Sequence, residues 1–262
     1  NSQRSSSITA LNDGGFVITW ESYDQDDGGH GVYAQKYDTN GDTVGSEFLV
    51  NSYTGIAVPT SWSDYTNVGP AITVSDKKLP DITALNDDGF VITWQSTGQD
   101  GDGGSIHAQI YDANGDKVGA EFQVNTYTTA RQHDPSITTL NDGGFVISWT
   151  SQGQDGSEEG VYAQIYDTSG NAVGSEFLVN TTTQSSQNES AITALNDGGF
   201  VITWKTQNGD VFAQRYDAEG NVLGKVNVSP ALSSAISDAS TNEDVAYSYD
   251  ASSNFSDADG DT

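Results

Sequence analysis

The stretch ITALNDGGFVITW at residues 8–20 is written four times in this chain. It returns as ITALNDDGFVITW at 82–94, ITTLNDGGFVISW at 137–149 and ITALNDGGFVITW at 192–204. The closing tryptophans, Trp20, Trp94, Trp149 and Trp204, stand 74, 55 and 55 residues apart. A unit of this length does not bury its apolar surface alone and stacks on copies of itself. Within the phrase, Phe16, Ile18 and Trp20 alternate with Val17 and Thr19, the two-residue period of a strand. Both faces are largely apolar, so the sheet is covered on both sides.

Working outward, residues 8–11 read as a first strand and Asn12-Asp13-Gly14-Gly15 as a tight turn. A third strand follows at 31–37, a turn at Asp38-Thr39-Asn40-Gly41, and a fourth strand at 47–51. No segment has helical periodicity. Four short antiparallel strands per unit, buried on both faces and repeated, describe the blade of a β-propeller. The fold class is therefore all-β: a propeller of four four-stranded blades, either closing its own ring or forming part of a larger one. Tandem small β-sandwich units are the alternative, although about 50 residues is short for a sandwich. The units run over about 6–51, 80–125, 135–180 and 190–229, with an insert at 52–79, so the propeller spans 1–229.

Residues identical in all four units read as architecture: the tryptophans as blade core, and Gln35, Gln109, Gln164 and Gln214 as side chains bonded to neighbouring backbone. Asp38, Asp112, Asp167 and Asp217 keep their glycine while the second acid of the loop is lost, which suits a turn and not a metal site. Function belongs where the units differ. The first spacing is 19 residues longer than the others, and the extra residues carry Tyr53, Trp62 and Tyr65. Loop aromatics flanked by Asp64 suit a sugar ring, so Trp62, Tyr65 and Asp64 are the candidate ligand contacts; packing on the scaffold is the competing reading.

The loop between the second and third strands also varies. It holds Asp24 and Asp26 in the first unit, Asp100 and Asp102 in the second, Asp155 in the third, and shrinks to Asn208-Gly209-Asp210 in the fourth. Glycine-spaced carboxylates curl around hard cations, and calcium takes six to eight oxygens. Asp24, Asp26, Asp100 and Asp102 are thus candidate calcium ligands, against a solvated acidic hairpin. The formal charge of −28, from 37 acidic and 9 basic side chains, points the same way and disfavours nucleic acid and anionic membranes. There is no cysteine, and no apolar run of 18 residues spans a membrane. The chain does not begin with Met; its first residues resemble an inter-unit linker, so it reads as a piece of something longer. His30, His107 and His133 have no metal-binding spacing, and His107 fills a strand position held elsewhere by Tyr33, Tyr162 and Phe212, where it packs. No nucleophile, phosphate or dinucleotide motif is present, so no catalytic residue is assigned.

After residue 229 the phrase language stops. Residues 230–262 form a linker and then NEDVAY and FSDADGDT, which resembles the opening of a dystroglycan-type cadherin-like domain, here truncated. That resemblance implies calcium at Asp257, Asp259 and Asp261. The repeats themselves resemble those of large secreted calcium-dependent, RTX-type adhesins of bacteria, although the glycine-rich nonapeptide array is absent. The resemblance implies a secreted, cell-surface protein and a non-enzymatic, calcium-dependent adhesion or recognition segment, with surface glycans or another surface protein as partners. The alternative is a carbohydrate-active enzyme, a polysaccharide hydrolase or lyase, on a propeller scaffold.

Overall fold

The computed structural model has the propeller architecture and describes residues 2–23, 25, 29–53, 76–225, 231–232 and 255–256. The first blade is β1 (Gln3–Ala10), β2 (Phe16–Tyr23), β3 (His30–Tyr37) and β4 (Thr43–Leu49), and the second is β5 (Lys77–Ala84), β6 (Phe90–Thr97), β7 (Gly104–Tyr111) and β8 (Lys117–Gln123). The third is β9 (Gln132–Thr139), β10 (Phe145–Gln152), β11 (Glu159–Tyr166) and β12 (Ala172–Leu178), and the fourth is β13 (Gln187–Ala194), β14 (Phe200–Thr206), β15 (Val211–Tyr216) and β16 (Val222–Lys225). Each is an antiparallel meander in chain order. β17 (Ala231–Leu232) pairs with β18 (Phe255–Ser256). No helix among the described residues is long and apolar enough to cross a membrane.

The identical residues are architectural. In the first turn, Leu11 N–H donates to the Gly15 carbonyl (2.9 Å) and Gly15 N–H to Asp13 Oδ1 (2.8 Å). A Cβ on Gly15 would lie 2.4 Å from the Tyr37 carbonyl oxygen, and Gly89, Gly144 and Gly199 meet the same obstacle at Tyr111, Tyr166 and Tyr216. That contact fixes glycine at the end of the phrase's turn. Asp38 Oδ1 accepts the N–H groups of Asn40 and Asp42 (2.8 and 2.9 Å), a turn repeated at Asp112, Asp167 and Asp217. Gln35 Nε2 donates to the carbonyls of Lys36 and Val44 (2.8 and 3.2 Å), and Gln109, Gln164 and Gln214 do the same in their blades.

Two boundaries differ from the sequence expectation. The first strands begin at Gln3, Lys77, Gln132 and Gln187, three residues ahead of the expected unit starts. Each contains a bulge at a non-glycine residue with positive φ: Ser5 at 50°, Leu79 at 52°, Asp134 at 52° and Glu189 at 53°. The bulge breaks the alternation from which a strand is read. The fourth strands begin at Thr43 rather than 47 because Gly45, at φ 72°, puts a second irregularity there.

The blades fan out. β1, β5, β9 and β13 give the closest packing between neighbouring blades, and the fourth strands lie outermost. Each joint is a core in which the trailing face of one blade meets the leading face of the next. In the first, Leu11, Val17, Val32, Ala34 and Val50 pack on Ile82, Phe90, Ile92, Trp94 and Tyr111. The second and third repeat the pattern. Polar stitches follow the same rule: Asn12 Nδ2 donates to the Leu85 carbonyl (3.2 Å), Asn86 to Asn141 (3.4 Å) and Asn141 to Leu195 (3.3 Å). Trp94, Trp149 and Trp204 are buried at 0, 0 and 5% exposure. Trp20 corrects the expectation that all four are buried: it is half-buried, because no blade precedes it among the described residues. The ring of described strands stays open between the fourth and first blades.

Candidate functional site at the rim of the joints

The starts of the first strands, the ends of the second and the starts of the third meet at one rim. There the units carry unlike residues. At the first joint, Arg4 Nε lies 2.6 Å from Glu21 Oε1, Arg4 Nη2 is 3.2 Å from His30 Nε2, and Lys78 pairs with Asp76 at 2.8 Å. At the second, Arg131 donates to Gln95 Oε1 (3.3 Å).

The third joint gathers the most titratable chemistry. His133 lies between two carboxylates, with Nδ1 2.9 Å from Asp134 Oδ2 and Nε2 3.2 Å from Glu159 Oε1. The hydrogen bond from His133 holds the Asp134 carboxyl below the usual carboxylate range. Asn188 Nδ2 donates to the other Glu159 oxygen (2.8 Å) and Ser186 Oγ to Glu158 (3.0 Å). Asp134 is also the bulge residue of its strand, the position that Ser5, Leu79 and Glu189 hold in the other blades.

A cavity of about 300 Å³ opens at the same joint, lined by none of these charged residues. Its walls include Trp204, Phe212, Thr182, Gln184, Asn208 and Asp210. Phe212 is 46% exposed and stacks on Trp204 with ring centroids 6.2 Å apart and planes 18° from parallel. The cavity exists because the fourth unit's loop is short. Thr150 pairs with Val161 across ten intervening residues, whereas Lys205 pairs with Val211 across five. Gln187, another wall residue, donates to the Gln184 carbonyl (2.8 Å) and accepts from Asn180 (3.1 Å), which fixes that side of the cavity. An exposed ring face edged by amides and hydroxyls is suited to a sugar, which offers an apolar face and a rim of hydroxyls.

Trp62, Tyr65, Asp64, Asp24, Asp26, Asp257, Asp259 and Asp261 lie outside the described residues. Tyr53 packs on the scaffold, with Lys77 Nζ 4.8 Å from its ring centroid. Asp102 accepts Gly103 N–H at Oδ1 (2.8 Å) and Ala130 N–H at Oδ2 (3.0 Å), and Asp100 Oδ1 accepts Asp102 N–H (3.3 Å). Burial pushes the Asp100 carboxyl up. These two carboxylates hold their own loop and alone fall short of a calcium shell; no group of three or more His, Asp or Glu among the described residues is arranged for a metal. His107 packs as expected, 3.0 Å from Ser105 Oγ and stacked on Trp94. Sequence reasoning missed His133, Asp134, Glu159 and Phe212. The available signal was the block ahead of each phrase, which reads QRSSS, KKLPD, QHDPS and QNESA while the phrase stays constant.

No protein-family profile and no curated protein matches the chain. Solved structures do. A Hadza microbial sialidase superposes with a TM-score of 0.53 at 12% identity, covering 84% of this chain and 45% of its own. An N-acetylgalactosamine deacetylase from F. plautii, solved with blood group B trisaccharide, gives 0.52 at 10% identity, covering 85% of this chain and 69% of that one. A thermostable family-43 glycoside hydrolase gives 0.50 at 11% identity, with 87% and 73% covered. The chain thus spans less than half the length of the sialidase. This company overturns the expectation of a non-enzymatic adhesion or recognition segment and, with it, the inclination against an enzyme.

Proposed function

We propose that the chain is the propeller of a carbohydrate-active enzyme that works on a neutral polysaccharide outside the cell. The observation that carries this reading is the cavity over Trp204 and Phe212, an aromatic platform with amide and hydroxyl edges at the joint that also holds the Glu159–His133–Asp134 cluster. The names of the structures that share the fold support it. Glycosidic cleavage uses two carboxyl groups, one to protonate the leaving oxygen and one to act as base or nucleophile. Glu159 is the candidate acid–base, held by His133 and Asn188. His133 positions it, and Asp134 is the carboxylate on the far side of the same imidazole. Phe212 would stack on a sugar ring and fix the register of the polymer. The net charge of −28 repels uronate-rich or sulfated chains, which leaves neutral glycans as the favoured class.

The test is a reducing-sugar assay on a panel of neutral and acidic polysaccharides. Turnover of a neutral polymer is expected, falling at least about 100-fold in Glu159→Gln, the size of a lost general acid, with the melting curve unchanged. Phe212→Ala should raise KM more than it lowers kcat. Failure to cleave any polymer would remove the enzymatic reading. Cleavage that both variants retain in full would move the site elsewhere.

A further inference from the structure

The joint between blades is built three times in this chain, and each of its halves also occurs once without a partner among the described residues. The leading face is buried in the second, third and fourth blades: Ile82, Phe90, Ile92, Trp94 and Tyr111 are at most 5% exposed, and Phe145, Ile147, Trp149, Phe200, Ile202, Trp204 and Tyr216 follow suit. The same positions of the first blade, Phe16, Ile18, Trp20 and Tyr37, are only half-buried, and Ile8 is 62% exposed. A shallow groove of about 470 Å³ runs over this face, lined by Gln3, Arg4, Ile18, Trp20, Tyr37 and Glu47. The trailing face shows the reverse. Val17, Val32 and Ala34, and their counterparts in the second and third blades, are fully buried. In the fourth blade Val201 and Ala213 are half-buried and Val211 is 55% exposed.

We infer that these two faces are a binding pair, and that the occupant of the first blade's leading face is the fourth blade of a second copy of this chain, joined head to tail. The argument is continuity with an interface already present. What covers this face in every other blade is the trailing face that the fourth blade presents. The polar stitches are also in place. Lys36 Nζ, paired with Asp13 at 3.3 Å, donates to the Ala113 carbonyl of the next blade (2.7 Å). Arg215 holds the position of Lys36 and pairs with Asp197 as Lys36 does with Asp13, so it carries donors for the carbonyl of Thr39 in a following blade. Asn196 holds the position from which Asn12 and Asn141 reach the next blade's turn. A head-to-tail contact is heterologous: two copies close a ring if the rotation permits, and otherwise extend.

Sedimentation velocity over a range of concentrations tests this. The wild-type chain should show mass rising with concentration to at least twice that of the monomer. Ile18→Arg disables only the leading face and Val201→Arg only the trailing face, so each alone should sediment as a monomer. An equimolar mixture should restore a 1:1 pair, because the trailing face of one and the leading face of the other are intact. That rescue separates a lost contact from a misfolded variant, and melting curves check the fold of each. A monomeric wild type at all concentrations, a mixture that fails to pair, or a single variant that still self-associates would each overturn the inference.

Discussion

Replacing Trp149 by alanine should cost about 4 kcal/mol, within the ~3–5 kcal/mol range for removing a fully buried large aromatic. Trp149 is completely buried, in the core that joins the second and third blades. Its indole Nε1 is buried too, with no hydrogen-bond partner among the described residues. Trp149→Phe therefore removes some volume but also removes a desolvated donor, whose burial costs about 1–3 kcal/mol. The net loss should be about 1 kcal/mol. Trp20→Ala, the same change in the same phrase, should cost about half as much as Trp149→Ala, because its face is half-open. Guanidinium denaturation followed by far-ultraviolet circular dichroism, at concentrations where the chain is monomeric, measures all three. If Trp149→Phe cost as much as Trp149→Ala, the indole N–H would be making a bond that the reasoning denies. If Trp20→Ala matched Trp149→Ala, the first blade's face would be covered within the monomer.

Other outcomes follow from the same contacts. Burial holds the His107 imidazole down at about 4, while the unfolded chain takes up that proton near 6.5; stability is therefore whole above pH 6.5 and falls as pH drops toward 4, by at most about 1.4 kcal/mol per unit. His107→Phe, checked by melting at each pH, should flatten that slope and leave the loss at lower pH, where the turn aspartates protonate. Asp102→Ala should lower the melting temperature by the same amount in calcium and in chelator, since it removes the acceptor for two backbone N–H groups; a loss confined to calcium would mean that this loop binds the ion. Gly144→Ala should destabilise by about 2 kcal/mol, as overpacking does, because its Cβ would lie 2.4 Å from the Tyr166 carbonyl oxygen; an unchanged denaturation midpoint would show that the turn yields.

The blade was legible because the phrase places its residues locally. Alternation in 16–20 gives a strand, the constant Asp–Gly pairs give turns, and a glutamine amid aromatics has only backbone to bond. The bulged start of each first strand was not legible. Pro80 and Pro135 fall inside it, and proline there speaks against a strand unless a bulge is present. The rim was hidden for a different reason. His133 meets Glu159 26 residues later, across the third blade's own sheet, and Asn188 of the next blade reaches Glu159 back across 29, so the full cluster needs both the folded blade and its neighbour. The shortened loop at 208–210 was visible, but the cavity it opens depends on Thr182 and Gln184 arriving from the preceding connection. The inclination toward an adhesin rested on the absence of a catalytic motif, on the uniformity of the phrase and on the tail, none of which reads the variable block ahead of the phrase.

Each blade carries both halves of the joint that holds it to its neighbours. In genetic terms, a duplication of one unit inserts a module whose two faces already match whatever lies on either side, with no compensating substitution required. Deletion of an internal unit leaves an equally matched seam. Copy number can thus change by unequal crossing-over in a single step without passing through a misfolded intermediate, and exchange among near-identical copies keeps the phrase uniform. The short block ahead of the phrase forms the rim end of each first strand and already differs from copy to copy, so new chemistry can enter the chain there while the phrase is copied unchanged.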